Sequence, residues 1–323
     1  MADLNPHAVD PADEGRHQPS GDPLWNESHY LDFVSHDGQL AGYARIGLYP
    51  NLGVTWWTTV VAGPGRPLVA SVAYDLPATP APGLTVRGDG CSVDGVIGLP
   101  LDSMVVAGTA AAVVHDDPAD VYRGAPGRPT DIELDLTWRT DGIPYHYDVT
   151  TRYEIPCLVG GTVTVGGEVL GVEGHGQRDH SWGVRDWWAF SWCWFAGRLD
   201  DGTRIHGADI RIPGQRIPFG YVQHPDGLVE TVTGLDVTEE LGPFGLVTSA
   251  RARLDPVGLD LAIEPVAFGP LVLTATDGRV SRFPRALARF TASDGRTGTG
   301  WIEWNQPVPA GEGQWPRPGA PLP

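Results

Sequence analysis

Alternation of apolar and polar side chains is clearest in Ile132-Glu133-Leu134-Asp135-Leu136-Thr137-Trp138, where every even-numbered position is apolar. Successive side chains of a β-strand point to opposite faces, so this pattern predicts a strand with one buried face. Similar runs follow at 162–165, 168–172, 229–237, 246–254 and 259–266. Convincing amphipathic helices are scarce. The sequence therefore predicts an all-β protein.

Turn signals separate these runs. Asp-Gly dipeptides recur along the chain, and Gly166-Gly167 lies between two of the runs. Both dipeptides suit the positive φ angles of tight hairpins. Antiparallel strands must hide their sheet edges in closed barrels or packed sandwiches. For 323 residues, two consecutive antiparallel β-barrels packed against each other fit better than one very large sheet.

The predicted organisation has four parts. Residues 1–21 are polar and acidic and are predicted to form a disordered leader. A boundary at Gly183 divides the folded part into an N-terminal barrel, 22–183, and a C-terminal barrel, 184–306. Residues 307–323 are dominated by Pro and Gly and are predicted to be a tail. No Pro-rich linker lies at the boundary, so the two barrels are expected to pack closely.

Composition excludes several classes of function. A formal charge of −18 argues against nucleic acid and anionic membranes as partners. The absence of Lys excludes Schiff-base and pyridoxal-phosphate chemistry. Three Cys without CxxC spacing do not suggest a disulfide framework. With neither a signal peptide nor a run of eighteen apolar residues, we expect a cytoplasmic protein without an integral membrane segment. The oligomeric state is left open.

One segment, from Gly174 to Asp209, concentrates ionisable and aromatic side chains as no other stretch does. At its centre is Arg178-Asp179-His180-Ser181-Trp182-Gly183, and five of the 12 tryptophans lie between Trp182 and Trp194. This segment is predicted to hold the chemistry or the small-molecule binding of the protein. A second interpretation is a junction between the barrels, braced by ion pairs of Arg178, Asp179, Arg185 and Asp186.

A register argument adds a candidate acid. If Asp201-Gly202 is a two-residue hairpin loop, Trp194 faces Asp209 across the hairpin, on the same face as Trp188 and Trp192. Apolar surroundings would raise the pKa of that carboxyl and keep it protonated near neutral pH. Gly207 would leave room for a ligand. Arg211 would oppose the shift, so an Asp209–Arg211 salt bridge is the competing interpretation.

Two further site types were weighed. His175, Asp179, His180, His206 and Asp209 could supply metal ligands, but their spacing matches no metal motif, so we expect neither a metal nor any other cofactor. Trp56-Trp57 favours a hairpin with core aromatics, and the rim of an aromatic ligand cavity is the alternative.

The run Gly-x-Gly-x-Arg-Asp-His-Ser-Trp-Gly, here 174–183, resembles one in a superfamily of tandem lipocalin-like β-barrels. That superfamily includes carotenoid 1,2-hydratases (hydroxyneurosporene synthases), kievitone-hydratase-like proteins and Diels–Alderase-type cyclases. Trp25-Asn26-Glu27-Ser28 with Trp56-Trp57 is similar to a bacterial branch without assigned function. The resemblance implies two consecutive lipocalin-like barrels.

The resemblance also implies site residues. In the carotenoid hydratases a His-x-Trp pair and a Tyr-x-Asp pair are functional, and they match His180, Trp182 and Asp209, with Gly207 in place of the Tyr. The implied chemistry needs no cofactor. An acid protonates an alkene, aromatic rings shelter the cation, and water, proton loss or ring closure quenches it. Asp209 would be the acid, His180 would position water or relay the proton, and Trp182 with Trp194 would stabilise the cation.

The leading hypothesis is therefore an enzyme for an apolar, isoprenoid (terpenoid) or polyketide-like small molecule: a hydratase or dehydratase (hydro-lyase), isomerase or cyclase. A non-catalytic lipocalin-type carrier of a hydrophobic ligand is the main alternative. A structural protein whose motif only locks the barrels together, and a cyclase that acts by shape alone, also remain open.

Overall fold

The computed structural model describes residues 7–308, which fold into two sheets of antiparallel strands. The strands of the first sheet are β1 (Trp25–Ser35), β2 (Ala41–Tyr49), β3 (Val54–Ala62), β4 (Leu68–Pro77), β5 (Leu84–Gly88), β6 (Cys91–Ile97), β7 (Ser103–His115), β8 (Arg128–Thr140), β9 (Tyr145–His146), β10 (Arg152–Val165) and β11 (Glu168–Val184). Those of the second sheet are β12 (Ser191–Leu199), β13 (Arg204–Ile212), β14 (Gln215–Gln223), β15 (Val229–Val232), β16 (Gly234–Leu241), β17 (Val247–Asp255), β18 (Leu259–Phe268), β19 (Leu271–Thr274), β20 (Val280–Phe283), β21 (Ala286–Ala292) and β22 (Thr297–Val308). The helical pieces are α1 (Asp120–Arg123) and 3₁₀ turns at Pro11–Glu14 and Pro243–Gly245. Within 7–308, nothing helical is long and apolar enough to cross a bilayer.

The first sheet closes on itself. Its strands run in the order β4-β3-β2-β1-β11-β10-β8-β7, and β7 pairs again with β4. The β5–β6 hairpin extends from β7, and β9 adds to β10. The second sheet follows the order β15-β14-β13-β12-β22-β21-β18-β17-β16, with β20 also pairing with β22. The predicted all-β fold with two packed barrel units is confirmed.

Local patterns explain how these strands form. In β8, Ile132, Leu134, Leu136 and Trp138 are buried while Glu133 and Asp135 are exposed, as the alternation predicts. At the Gly166-Gly167 hairpin, Val165 pairs with Glu168. The two glycines adopt φ angles of 54° and 89°. This positive φ is the conformation that a two-residue hairpin loop requires.

Three apolar cores result. One fills the first barrel, one fills the second, and the third lies between them. Alternate residues of β1 serve different cores: Leu31 and Phe33 point into the first barrel, whereas Tyr30 and Val34 point to the interface. Every residue of β1 is therefore buried, including its polar ones. Side chains on the interface face are placed to line a site between the barrels.

The N-terminal segment does not form the predicted disordered leader from residue 7 onward. Val9 packs into the core of the first barrel. Glu14 is buried and accepts hydrogen bonds from Arg178 at 2.8 Å and Tyr153 at 2.5 Å. Polar composition suggested disorder, but these polar groups find partners inside the barrel. The remaining leader, 1–6, and most of the predicted tail, 309–323, lie outside the described residues, and 307–308 end β22.

Candidate functional site

A cavity of about 440 Å³ lies between the two barrels. This volume is in the range of small-molecule sites. Its aromatic lining consists of Tyr30, Trp182, Trp187, Phe190, Trp192, Trp194 and Phe219. Its charged lining consists of Arg45, Arg152, Arg185, Arg285, Asp179, Asp186 and Glu303. The cavity thus combines an aromatic wall with an unusually high density of charged groups.

The central motif serves both faces of β11. Asp179 faces the cavity, while Arg178 and His180 belong to the opposite face. His180 Nε2 lies 3.1 Å from a carboxylate oxygen of Glu27, and its ring stacks on His29 at 3.9 Å. Trp182 stacks on His17 at 3.7 Å and also reaches the cavity lining. The motif therefore packs into the first barrel on one side of the strand and lines the cavity on the other.

Two carboxylates share one guanidinium beside the cavity. Arg152 contacts Asp179 at 2.5 Å and Glu154 at 2.6 Å. Glu154 also accepts hydrogen bonds from Gln177 at 2.8 Å and from the Trp194 indole at 3.0 Å. Burial would raise the pKa of Glu154, but Arg152 and His206 lower it to about 2. Glu154 is thus the carboxylate that stays ionised.

Asp179 is the other member of this pair. Burial, together with the nearby charge of Glu154, raises its pKa well above the usual value of an aspartate, although Arg152 acts in the opposite direction. A carboxyl with a pKa raised in this way can both donate and accept a proton near neutral pH. Asp179 is consequently the cavity group best suited to acid–base chemistry.

Asp209 lies in a different environment from the predicted one. The hairpin loop has three residues, 200–202, because Leu199 N–H donates to Thr203 at 2.8 Å. The register therefore shifts by one: Asp209 pairs with Cys193, and Trp194 pairs with Ala208. A shift of one residue moves a side chain to the other face of a strand. Asp209 accordingly does not line the cavity.

The predicted rise in the pKa of Asp209 is also wrong. Burial favours such a rise, but hydrogen bonds from Arg216 and Arg211 outweigh it and hold the pKa below its usual value. The Arg211 Nε–Asp209 Oδ2 distance and the Arg216 Nη2–Asp209 Oδ2 distance are both 2.7 Å. The competing interpretation, a salt bridge with Arg211, describes the structure.

Asp209→Asn is expected to lower the free energy of unfolding by about 1–3 kcal/mol, because two arginines lose their ionic partner. Both arginines reach solvent, which limits the loss. Urea unfolding at pH 7 measures it. Ligand binding in the cavity should be unchanged, and a variant with normal stability but abolished turnover would restore the acid role for Asp209.

Six predicted residues line the cavity: Asp179, Trp182, Arg185, Asp186, Trp192 and Trp194. Asp179, Arg185 and Asp186 were predicted to form ion pairs that brace the junction between the barrels. Asp186 also forms a brace, since it pairs with Arg279 at 2.9 Å. Arg178 lies outside the lining and forms an ion pair with Glu14 of the N-terminal segment, a contact that does not join the two barrels.

The other predicted ligand-binding residues lie outside the cavity lining. A Cβ at Gly207 would meet the Phe195 ring at 2.6 Å, so this glycine serves the packing of the second barrel. Trp57 is in the core of the first barrel, while Trp56 and Trp188 belong to the interface core. Arg211 pairs with Asp209 and Glu239.

Sequence reasoning assigned no role to four charged residues of the lining, Arg45, Arg152, Arg285 and Glu303, or to the polar Thr150 and Thr151. One signal was available. Arg45 is the only charged residue of β2, whose nine residues are all buried. A single charge in such a strand indicates a polar site. The others come together only through tertiary structure.

One cluster among the described residues has the spacing of metal ligands. Ligand atoms of His17, Glu27 and His180 lie within 4.8 Å of one another. Glu27 is already hydrogen-bonded by His17 at 2.8 Å and Arg16 at 2.9 Å. Burial would raise its pKa, but hydrogen bonds from His180 and His17 keep it below the usual value. The cluster forms a hydrogen-bond network that connects the N-terminal segment to β11 through Glu27.

Comparisons with solved structures agree with this fold. Kievitone hydratase from Nectria haematococca superposes with a TM-score of 0.62 at 12% identity, covering 94% of each chain. CghA superposes with a TM-score of 0.55 at 12% identity, covering 97% of each chain. The protein NE1406 from Nitrosomonas europaea, described as a candidate AttH, gives 0.55 at 15% identity, covering 94% of this chain and 99% of its own. At these identities the likeness shows the fold alone, that of two packed antiparallel β-barrels.

Sequence comparisons place the chain in a family. No curated protein sequence matches it significantly. A family model described as "Domain of unknown function (DUF7064)" matches residues 10–308, which is nearly the whole described chain. The chain therefore belongs to the DUF7064 family.

Proposed function

We propose that the protein binds an apolar small molecule in the cavity between its barrels and catalyses a cofactor-independent hydration, dehydration, isomerisation or cyclisation. The observation that carries this proposal is Asp179, a buried carboxyl in the wall of an aromatic cavity, whose pKa is raised by burial and by the charge of Glu154. A carrier has no need of such a group. The structural neighbours include a hydratase, which supports the reaction class as a proposal.

The charges of the cavity favour one course of reaction. Of the four guanidiniums that line it, those of Arg45 and Arg185 have no carboxylate partner among the described residues, and they oppose the carbocation predicted from the resemblance. They favour instead a reaction in which negative charge develops on oxygen, as in addition of water to a double bond conjugated to a carbonyl group.

Asp179 would take part in both halves of such an addition. As the carboxylate it accepts a proton from water, whose oxygen bonds to the β-carbon. The displaced π electrons move to the carbonyl oxygen, which becomes an enolate. Asp179, now protonated, then donates that proton to the α-carbon and returns to the carboxylate. Dehydration follows the same steps in reverse.

The test uses an apolar extract of the producing host, incubated with the protein in D₂O. Because Asp179 exchanges its proton with solvent, products should gain one deuterium on carbon, seen by mass spectrometry as a 1 Da increase. We expect Asp179→Asn to lower this incorporation at least about 100-fold, which is the usual worth of a general acid–base group. Asp209→Asn is the control and should retain incorporation.

Two results would contradict the proposal. Full deuterium incorporation by Asp179→Asn would remove the acid–base role. A co-purifying ligand that wild-type protein leaves unchanged would instead support the carrier. The isoprenoid or polyketide-like nature of the substrate and the cytoplasmic location stay predictions that the same host material can check.

A further inference from the structure

The charged groups of the cavity do not balance one another. Asp186 pairs with Arg279, which lies outside the lining, and Glu303 pairs with Arg285. Asp179 shares Arg152 with Glu154, as described above. No ion pair within residues 7–308 engages the two remaining guanidiniums of the cavity, those of Arg45 and Arg185.

Both guanidiniums lie beside the same indole ring, and the charge of Arg45 acts on Arg185. Their central carbons are 5.0 Å and 5.1 Å from the centre of the same indole ring, that of Trp187. Arg45 is 8% exposed, and its Nη2 is buried without a hydrogen-bond partner. Burial and the neighbouring charges of Arg152 and Arg45 lower the pKa of Arg185 to about 10. Neither group thus has a carboxylate of the described residues within ion-pair distance, although the charge of Asp179 acts on Arg185.

Such an arrangement is costly in the free protein. A buried charge without a carboxylate partner loses its hydration, and a contact with an aromatic ring compensates only part of that loss. The overall charge of −18 shows that this is not part of a generally basic surface. A ligand that brings one negative charge would restore the balance.

The geometry of arginine narrows the choice of anion. A guanidinium is planar and offers parallel N–H groups, which match the two oxygens of a carboxylate or the delocalised oxygen of an enolate. The rest of the lining is largely aromatic, which suits an apolar body. We infer that the cavity ligand is an amphipathic acid, whose apolar body contacts the tryptophans and whose carboxylate or enolate binds Arg45 and Arg185. This inference rests on the proposed function, because it specifies the substrate class of the same site.

The test compares two probes that differ only in charge, 1-pyrenebutyric acid and 1-pyrenebutanol. Energy transfer from tryptophan to pyrene reports binding. Wild-type protein should bind the acid at least about tenfold more tightly than the alcohol, as one charge-assisted hydrogen bond provides. Arg45→Gln and Arg185→Gln should each remove most of this preference and leave alcohol binding within about twofold.

Arg253→Gln is the matched control, since Arg253 is an exposed arginine of β17 that pairs with Asp255 and Asp260. It should leave both affinities unchanged. Circular dichroism establishes that each variant is folded, and the half-buried Arg185 provides a readable variant even if Arg45→Gln unfolds.

The outcomes separate the two proposals. Equal affinity of wild-type protein for acid and alcohol, or a preference that survives both arginine substitutions, overturns the inference and leaves an apolar binding cavity. Failure of both probes to bind contradicts the proposed function itself, and the inference with it.

Discussion

Replacing Glu154 with glutamine is expected to lower the free energy of unfolding by about 3–5 kcal/mol, the usual cost of breaking a buried ion pair. Glu154 is completely buried and accepts hydrogen bonds from Arg152, Gln177 and Trp194. A glutamine keeps the shape of the side chain but loses its charge. Its NH₂ group, a hydrogen-bond donor, would also face the donor groups of Arg152, Gln177 and Trp194. Urea unfolding at pH 7 measures the loss.

The same variant tests the electrostatics of the cavity. The charge of Glu154 contributes to the raised pKa of Asp179, while Arg152 lowers it. Without that charge, Asp179 is the only carboxylate that pairs with Arg152. The pKa of Asp179 should therefore fall toward its ordinary value. A ¹³C NMR titration of aspartate-labelled protein reports this shift.

Glu264→Gln is the control for Glu154→Gln. Glu264 is an exposed glutamate of β18, 3.8 Å from its nearest arginine, Arg289. Its substitution should change stability by no more than about 0.5 kcal/mol. If Glu154→Gln changed the free energy of unfolding as little as the control, Glu154 would not be ionised in the folded protein. Its charge then could not raise the pKa of Asp179.

Gly176→Ala is expected to cost about 3 kcal/mol or more, at or above the upper end of the overpacking range. A Cβ at this position would lie 1.9 Å from the backbone oxygen of Asp32 in the neighbouring strand β1. Backbone cannot yield as a flexible side chain can. Asp32 also accepts the Gln177 N–H at 2.8 Å, so separation of the strands would disturb β11 just before Asp179.

Gly171→Ala is the matched control on the same strand. A Cβ there meets nothing within 4 Å, and the residue is exposed. Alanine should stabilise the strand by roughly 0.5–1 kcal/mol through the lower entropy of the unfolded chain. Thermal unfolding of the two variants in parallel gives the comparison. Equal effects would show that the close approach of β1 and β11 at Gly176 can relax.

How far the sequence predicts the molecule depends on local geometry. Where one face of a strand is buried, as in β8, alternation identifies it. Where both faces are buried, as in β1, the pattern disappears, because polar residues are retained for partners on other elements. Interface strands are therefore the hardest to interpret, and they are the ones that carry the cavity.

The two hairpins show the same limit at the level of single residues. Gly166-Gly167 forms the expected two-residue loop, whereas the loop at Asp201-Gly202 contains one residue more. An Asp-Gly pair is compatible with either loop length. The additional loop residue shifts the strand register by one, so the side chain of Asp209 lies on the face away from the cavity. Part of the motif lines the cavity, but which face of its strand each residue occupies, and so the position of Asp179, required the structure.

The ion pair between Glu14 and Arg178 also constrains the order in which the chain can fold during its synthesis. The two residues are 164 positions apart. At 5–20 residues per second, roughly 10–30 s of translation separate them. During that interval the first barrel lacks β11, the strand that joins β1 to β10, so its core stays open on the ribosome. The N-terminal segment is thus synthesised well before the strand that fixes it, and the apolar residues of the first barrel stay uncovered until β11 emerges.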